Sequence, residues 1–287
     1  MPELPEVEVV KQSLEKYALN KNLLKIIVKN KKLRYSVTPN LSPKLSHLKI
    51  VSIKRKSKYI VIEFYKDFFL LIHLGMSGTL HLIKKSKNLI NTNLSFYHSK
   101  NLPKKHNHIF FYFKNFLVIF NDPRRFGFIK LIEGKKKLNQ YFSKLGPDPF
   151  EKGLNIKYVK NYFYKKNKNI KNTLLDQSFI SGIGNIYASE ILNCSRINPL
   201  KVSGKITEEE INKIIFYTKK VLKYAIKKGG TTINNFHSIK GNIGSYQNEF
   251  RVYNREKEKC KNKLCPGIIL KINISNRSTY MCNICQK

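Results

Sequence analysis

The sequence predicts an α+β fold: a β-rich N-terminal domain built as a sandwich or barrel, a helical domain after it, and a small module at the C-terminus. Three observations carry that expectation. Short apolar runs joined by tight Lys-Asp and Lys-Asn connections recur between residues 23 and 131, as antiparallel strands do. Past Leu145-Gly146-Pro147-Asp148-Pro149 the apolar period lengthens to that of helices. From Phe250 onward, four cysteines bracket a short β-like stretch.

Taken in order, Glu6–Tyr17 reads as a helix, with Val7, Val10, Leu14 and Tyr17 on one face and acidic residues in its first turn. Strands are expected at Leu23–Val28, Tyr59–Phe64, Phe68–His73, Ile109–Phe113, Leu117–Phe120 and Phe126–Leu131. Lys54-Arg55-Lys56-Ser57-Lys58-Tyr59 leads into the second of these, and nothing local distinguishes Lys58 from a solvated charge run. Residues 84–105, rich in Lys, Asn and Ser, read as a long mobile loop. The clearest helix starts at Thr207, an N-cap forming a capping box with Glu210, and runs to about Lys228 before Gly229-Gly230. Its positions Ile211, Ile214, Ile215, Val221, Leu222, Ala225 and Ile226 are expected in the core. The domain limits are set at 1–144, a hinge at 145–149, 150–236 and 237–287.

The net charge of +37 marks a polyanion binder, with nucleic acid the default partner. Only eight residues are Arg (34, 55, 124, 125, 196, 251, 255 and 277), and Lys, Asn, Ile, Tyr and Phe abound, so an AT-rich coding bias accounts for much of the Lys excess. The few Arg residues therefore carry more information than any Lys. No apolar run approaches the roughly 20 residues of a membrane span, and no signal-peptide pattern opens the chain. A cytoplasmic protein with reduced thiols is expected.

Several motifs carry chemistry. Cys260 and Cys265, followed by Cys282 and Cys285, match a tetrahedral structural zinc site, with a disulfide pair the alternative. The intervening loop carries Arg277, and the unpaired Cys194 reads as a small buried hydrophobe. Gly182-Ile183-Gly184-Asn185 precedes a helix whose backbone N–H groups suit a phosphate; it lacks the Lys-Ser/Thr of a nucleotide loop. His73-Leu74-Gly75-Met76-Ser77-Gly78 ends one strand and Asp122-Pro123-Arg124-Arg125-Phe126-Gly127 turns between two others. Met76, Arg124 and Phe126 suit wedges that occupy the space of a displaced base; the competing reading buries Met and Phe in the core.

The opening Met1-Pro2-Glu3-Leu4-Pro5-Glu6 has two readings. If Met1 is removed, Pro2 offers a secondary amine with an α-amino pKa near 8, and Glu3 and Glu6 offer carboxylates for proton transfer. The alternative makes Pro and Glu ordinary first-turn residues of a helix.

These motifs occur in the order found in bacterial formamidopyrimidine-DNA glycosylases, and the resemblance extends over essentially the whole chain. It implies a bifunctional glycosylase and abasic-site lyase acting on 8-oxoguanine and formamidopyrimidines in double-stranded DNA. The implied fold is an N-terminal β-sandwich flanked by helices, a helix–two-turn–helix domain and a C-terminal zinc-finger β-hairpin, in a chain acting as a monomer. By the resemblance Pro2 is the nucleophile at C1′ and Glu3 the proton donor. Lys58 assists β-elimination and Arg277 δ-elimination. Met76, Arg124 and Phe126 fill the void, while His73, Asn185, His106 and Lys166 contact DNA. Residues 231–253 correspond to a loop closing over the flipped base. Two features depart from the family pattern: four residues rather than two separate Cys260 from Cys265, and residues 84–105 are longer than usual. The sister family, endonuclease VIII, shares the Pro2 chemistry, but Leu4 and the Asp-Pro-Arg-Arg-Phe-Gly block argue against it. A non-catalytic zinc-ribbon nucleic-acid binder is the rival from another class.

Overall fold

A computed structural model describes residues 1–84, 89–90, 104–231 and 245–286. These residues divide into two compact units, Met1–Ser143 with the described part of Lys228–Ser245, and Lys144–Lys227 with Tyr246–Lys287. Residues 246–286, which carry the four cysteines, group with the helical part of the chain.

In the first unit, helix α1 (Leu4–Ala18) starts two residues earlier than its apolar period suggests, because Glu3 and Glu6 form a reciprocal capping box around Leu4 and Pro5. Strands β1 (Lys25–Val28), β2 (Ile50–Lys56), β3 (Tyr59–Phe64), β4 (Phe68–His73) and β5 (Thr79–Lys84) follow, with the short helix α2 (Leu41–Leu45) between β1 and β2. Then come β6 (Leu89–Ile90), β7 (Asn107–Tyr112), β8 (Phe116–Asn121), β9 (Phe128–Glu133) and α3 (Lys135–Phe142). The strands form two antiparallel sheets, in the orders β1-β7-β8-β5-β6 and β2-β3-β4-β9. Ile60, Ile62, Leu70 and Ile72 of one sheet and Leu80, Leu82, Phe111 and Phe120 of the other share a single core with Val7, Val10 and Leu14 of α1. That shared core makes the unit a sandwich. On the outer face of the four-stranded sheet, Val61, Phe69, Leu71 and Ile132 are covered by Leu138, Tyr141 and Phe142 of α3.

Two strands escape the sequence pattern. Within Ile50–Lys56, four Lys, Arg or Ser residues obscure the apolar alternation, so Lys54-Arg55-Lys56 ends β2 rather than leading into β3. β5, behind Gly75 and Gly78, is not among the expected strands; it pairs with β8, Leu80 opposite Phe120. Of the segment read as a mobile loop, residues 89–90 pair with β5 and 104–106 form a 3-10 turn; 85–88 and 91–103 lie outside the described residues.

The second unit contains α4 (Ile156–Phe163), α5 (Ile170–Leu175), α6 (Asn185–Ser195), α7 (Glu208–Lys227) and the hairpin β10 (Ile269–Ile274)–β11 (Arg277–Cys282). The capping box of Thr207 and Glu210 is present at the start of α7. Ile215 and Ile226 are only half-buried, the remaining expected core positions of α7 being fully so. Helix α6 packs on α5, α7 and β11. Its Glu190 is fully buried and accepts the backbone N–H groups of Arg251, Val252 and Tyr253 at 2.8, 3.0 and 2.8 Å, fastening the start of the cysteine module to the helices.

Candidate active site and DNA interface

The first unit gathers its candidates at the N-terminal end of α1. Pro2 is buried, as are Glu3 and Glu6 at 3% and 2% exposure. The amino terminus of Met1 is held below its ordinary value, chiefly by burial; Glu3 and Glu6 oppose the shift, while the Lys58 and Arg124 cations add to it. A terminal amine here thus lies among two carboxylates and two cations, in surroundings that favour its neutral, nucleophilic form. Glu6 is fixed rather than mobile. Its Oε2 accepts the Glu3 N–H at 2.9 Å, and its Oε1 accepts the Thr231 N–H and Oγ1–H at 2.9 and 3.0 Å. Gly230 (φ +75°) passes so close that an added Cβ would lie 3.1 Å from Glu6 Oε1. Residues 232–244, the greater part of the expected lesion loop, lie outside the described residues.

Lys58 follows Ser57, which takes a left-handed backbone (φ 56°) in the β2–β3 turn. It is a turn residue and yet only 7% exposed, unlike the solvated charge run the sequence suggested. The turn is braced by Arg55, whose guanidinium donates to Ser57 O at 3.1 Å and to Glu8 at 2.9 Å.

His73 stacks on Phe128 (5.2 Å between centroids, 10° between planes) and accepts the Gly75 N–H on Nδ1 at 3.1 Å. Burial, followed by the charges of Lys58 and Arg34, pushes its pKa down to about 4. The ring is therefore neutral at pH 7, with its remaining proton on Nε2 as a donor. Because the unfolded ring binds a proton near pH 6.5 and the folded one does so only near 4, stability is level above pH 6.5 and falls as the pH drops from there towards 4. His73→Phe should flatten this part of the profile. In wild type, urea midpoints should imply up to about 3 kcal/mol less stability at pH 4 than at pH 7 from this residue, and equal slopes for the two proteins would contradict the assignment.

The loops bearing Met76 and Phe126 are locked together by Asp122, which is fully buried. It accepts Ser77 Oγ–H at 2.5 Å and the Gly127 N–H at 2.7 Å, and Ser77 Oγ in turn accepts the Arg124 N–H at 3.2 Å. Gly75 (φ +62°) lies against this loop so tightly that a Cβ would meet the Phe126 carbonyl carbon at 2.3 Å. Held this way, Met76 and Phe126 are 39% and 42% exposed, and the Arg124 guanidinium covers the Phe126 ring at 4.9 Å. The core reading of Met76 and Phe126 is thereby excluded. His106 lies beside this loop, its carbonyl accepting the Asp122 N–H at 3.0 Å.

In the second unit, Gly184 is the N-cap of α6 and Asn185 its first residue. Asn185 Nδ2 donates at 2.9 Å to the carbonyl of Ser278, the strand residue that follows Arg277 at the start of β11. Lys171, with no exposure, donates to the same carbonyl at 3.2 Å and to Thr279 Oγ1. Arg277 itself is exposed. Lys166 is exposed too, its ammonium over the Tyr162 ring at 4.8 Å. Asp122 and Lys171 were not singled out from the sequence. Asp122 stood inside a quoted motif but read as an ordinary turn residue, and Lys171 has no local signal among so many lysines.

The four cysteine sulfurs all lie within 4.8 Å of one another. Cys260 and Cys285 are 3.7 Å apart, and Cys265 and Cys282 3.6 Å. A tetrahedron with metal–sulfur bonds of about 2.3 Å has edges of about 3.8 Å, whereas a disulfide needs about 2.05 Å. The four sulfurs could hold a metal ion, and the four-residue gap after Cys260 does not prevent it. Asn262 and Ile284 N–H groups point at Cys260 and Cys282 Sγ at 3.4 Å each, the donors expected around thiolate ligands. Cys194 is partly buried, and burial pushes its thiol up to about 11.

Residues 1–129 match the family described as formamidopyrimidine-DNA glycosylase N-terminal domain, and residues 145–237 the H2TH domain of the same enzymes. The chain is 36% identical over its full length to the formamidopyrimidine-DNA glycosylase of Rickettsia felis, covering 98% of that protein. It is also 36% identical to the enzyme so named from the Wolbachia of Brugia malayi, with both chains covered completely. Among solved structures it is similar to Lactococcus lactis Fpg in complex with abasic-site DNA (TM-score 0.86, 31% identity, 99% of each chain). A Lactococcus lactis Fpg mutant bound to Fapy-dG-containing DNA aligns as well (TM-score 0.86, 32% identity, both chains complete). With both family domains matched and these relatives aligned end to end, the chain belongs to the formamidopyrimidine-DNA glycosylase family: it is a base-excision-repair glycosylase for oxidised purines, with the abasic-site lyase activity general to that family.

Proposed function

We propose that the reaction runs through the amine of Pro2, freed by removal of Met1, on double-stranded DNA carrying an oxidised purine or an abasic site. The observation that carries this reading is the burial of Pro2 together with Glu3, Glu6 and Lys58 at the start of the first helix. The amine attacks C1′ and the C1′–N bond breaks, with Glu3 supplying the proton. The resulting iminium withdraws electrons and acidifies the C2′ hydrogen; its loss expels the 3′ phosphate, and a second elimination expels the 5′ phosphate. Lys58 assists the first elimination and Arg277 the second. Glu6 is assigned to positioning, since its carboxylate already accepts three hydrogen bonds from Glu3 and Thr231.

Flipping the damaged nucleotide costs a few kcal/mol, less than for an intact base. Met76, Arg124 and Phe126, exposed on loops locked by Asp122, fill the vacated space. His73, His106, Lys166 and Asn185 contact the DNA backbone. Zinc is the ion we assign to the four cysteines, where it would close the hairpin and hold Arg277 on a rigid turn. The enzyme acts as a monomer in the bacterial cytoplasm; among the described residues, no helix is long and apolar enough to cross a membrane.

Borohydride trapping tests the reading. Zinc-loaded protein lacking Met1 should give a covalent adduct with an 8-oxoguanine duplex, and far less with thymine glycol. Absence of any adduct would overturn the Pro2 mechanism, and a preference for thymine glycol would overturn the purine assignment.

A further inference from the structure

The two ends of the sandwich differ. At the end away from the catalytic residues lies a groove of about 650 Å³, bounded by the C-terminal turn of α1, the end of β5 and the β7–β8 turn. Lys16 in its wall is 13 residues along from Glu3, which at 1.5 Å per residue puts it about 20 Å away. Along β8 the distance from Phe116 to Asn121, beside the wedge loop, is about 17 Å at 3.3 Å per residue. The groove is thus separate from the amine site within the same unit.

Its chemistry is two-layered. Leu82, Phe113 and Phe116 form an apolar floor, with Leu24 38% exposed at one edge. Lys16, Lys21, Lys84 and Lys114 stand around it, all exposed, and among the described residues no carboxylate lines it. Glu15, the acidic residue next to Lys16 in sequence, is turned to Lys11 at 3.1 Å. An apolar floor inside four cations fits a ligand with an apolar anchor flanked by negative charge. The chain's own segment 91–103 is a poor occupant, because it carries Lys100 and no Asp or Glu. Single-stranded nucleic acid fits less well than peptide. Phe113 and Phe116 stack on each other at 4.4 Å and Phe113 is otherwise buried, so little ring face remains for a base.

We propose that this groove docks an acidic peptide segment of a partner protein, an aromatic or aliphatic side chain entering between Leu24 and Phe116 and carboxylates pairing with Lys16, Lys21, Lys84 and Lys114. This would recruit the glycosylase without occupying its DNA site.

The test titrates full-length, zinc-loaded protein, already saturated with abasic-site duplex, against a fluorescein-labelled peptide of six aspartates and a terminal Phe-Leu, read by anisotropy. Lys16→Glu with Lys114→Glu should weaken binding at least tenfold while borohydride adduct formation stays at the wild-type level. A Phe→Ser, Leu→Ser peptide should also bind at least tenfold more weakly. Unchanged affinity in the double variant would overturn the proposal. Equal binding of the serine peptide would reduce the groove to general charge attraction, which also overturns it. Displacement of the peptide by oligo-dT with higher affinity, lost in the same variant, would assign the groove to nucleic acid instead.

Discussion

Protein that retains Met1, and protein carrying Pro2→Gly, should form no borohydride-trapped adduct with 8-oxoguanine or abasic-site duplex while still binding it. One additional residue moves the terminal amine by up to about 3.8 Å. A displacement of only about 1 Å at a reacting centre can cost about a hundredfold. Pro2 is buried beside Glu3, Glu6 and Lys58 whereas Met1 is 46% exposed, so a retained Met1 carries the amine towards solvent and away from those groups. Pro2→Gly leaves a primary amine on an unconstrained backbone, so the ring-fixed geometry of attack on C1′ is lost and no Schiff base accumulates to be trapped. Glu3→Gln keeps the amine and removes the proton donor, so base excision should fall by about 10²–10⁴-fold. Abasic-site cleavage, which has no base to expel, should suffer less. Binding by fluorescence anisotropy separates loss of chemistry from loss of fold. Normal adduct yield in either amine variant would remove Pro2 from the mechanism.

Cys282→Ser should abolish both metal binding and DNA affinity. Cys282 is fully buried, ends β11 and lies 3.6 Å from Cys265 Sγ. Its hairpin shares a small core of Val252, Ile269 and Tyr280, too little apolar surface to hold the module unaided. Structural zinc in such modules is worth about 10–16 kcal/mol at pH 7, and that binding energy is folding energy. Losing it should loosen the start of β11, where Lys171 and Asn185 hold the Ser278 carbonyl from the helical side, and with it the aim of Arg277. Released zinc can be counted with a colorimetric chelator, and nicking of abasic-site duplex reads the consequence. Wild-type nicking at normal affinity in a zinc-free variant would contradict the assignment.

The strands with the longest apolar runs, Tyr59–Phe64 and Phe68–His73, were legible from sequence to the residue, because both faces of each are packed, one in the sandwich core and the other under α3. Ile50–Lys56 was not legible. Its outward residues are Lys, Arg and Ser, and in a chain this basic a charged strand resembles a charged loop. The cysteine cluster and the helix from Glu208 announced themselves through spacing and a capping box, both of which are local signals.

The candidate site divides along the same line. The sequence by itself determined the chemical inventory: an N-terminal Pro2 with two carboxylates, four cysteines at metal spacing, two wedge-bearing loops, and an Arg277 kept in a chain where nearly all positive charge is Lys. Tertiary structure alone decided which groups are buried and which hold others in place. Glu6 accepts three hydrogen bonds, Asp122 joins two loops distant in sequence, Lys58 is buried in a turn, and Lys171 reaches a carbonyl 107 residues away. The physical reason is that capping and ligand spacing act between near neighbours in sequence and leave a pattern in it. Desolvation and long-range hydrogen bonding depend on what the fold brings alongside, and no single residue's sequence neighbourhood records that.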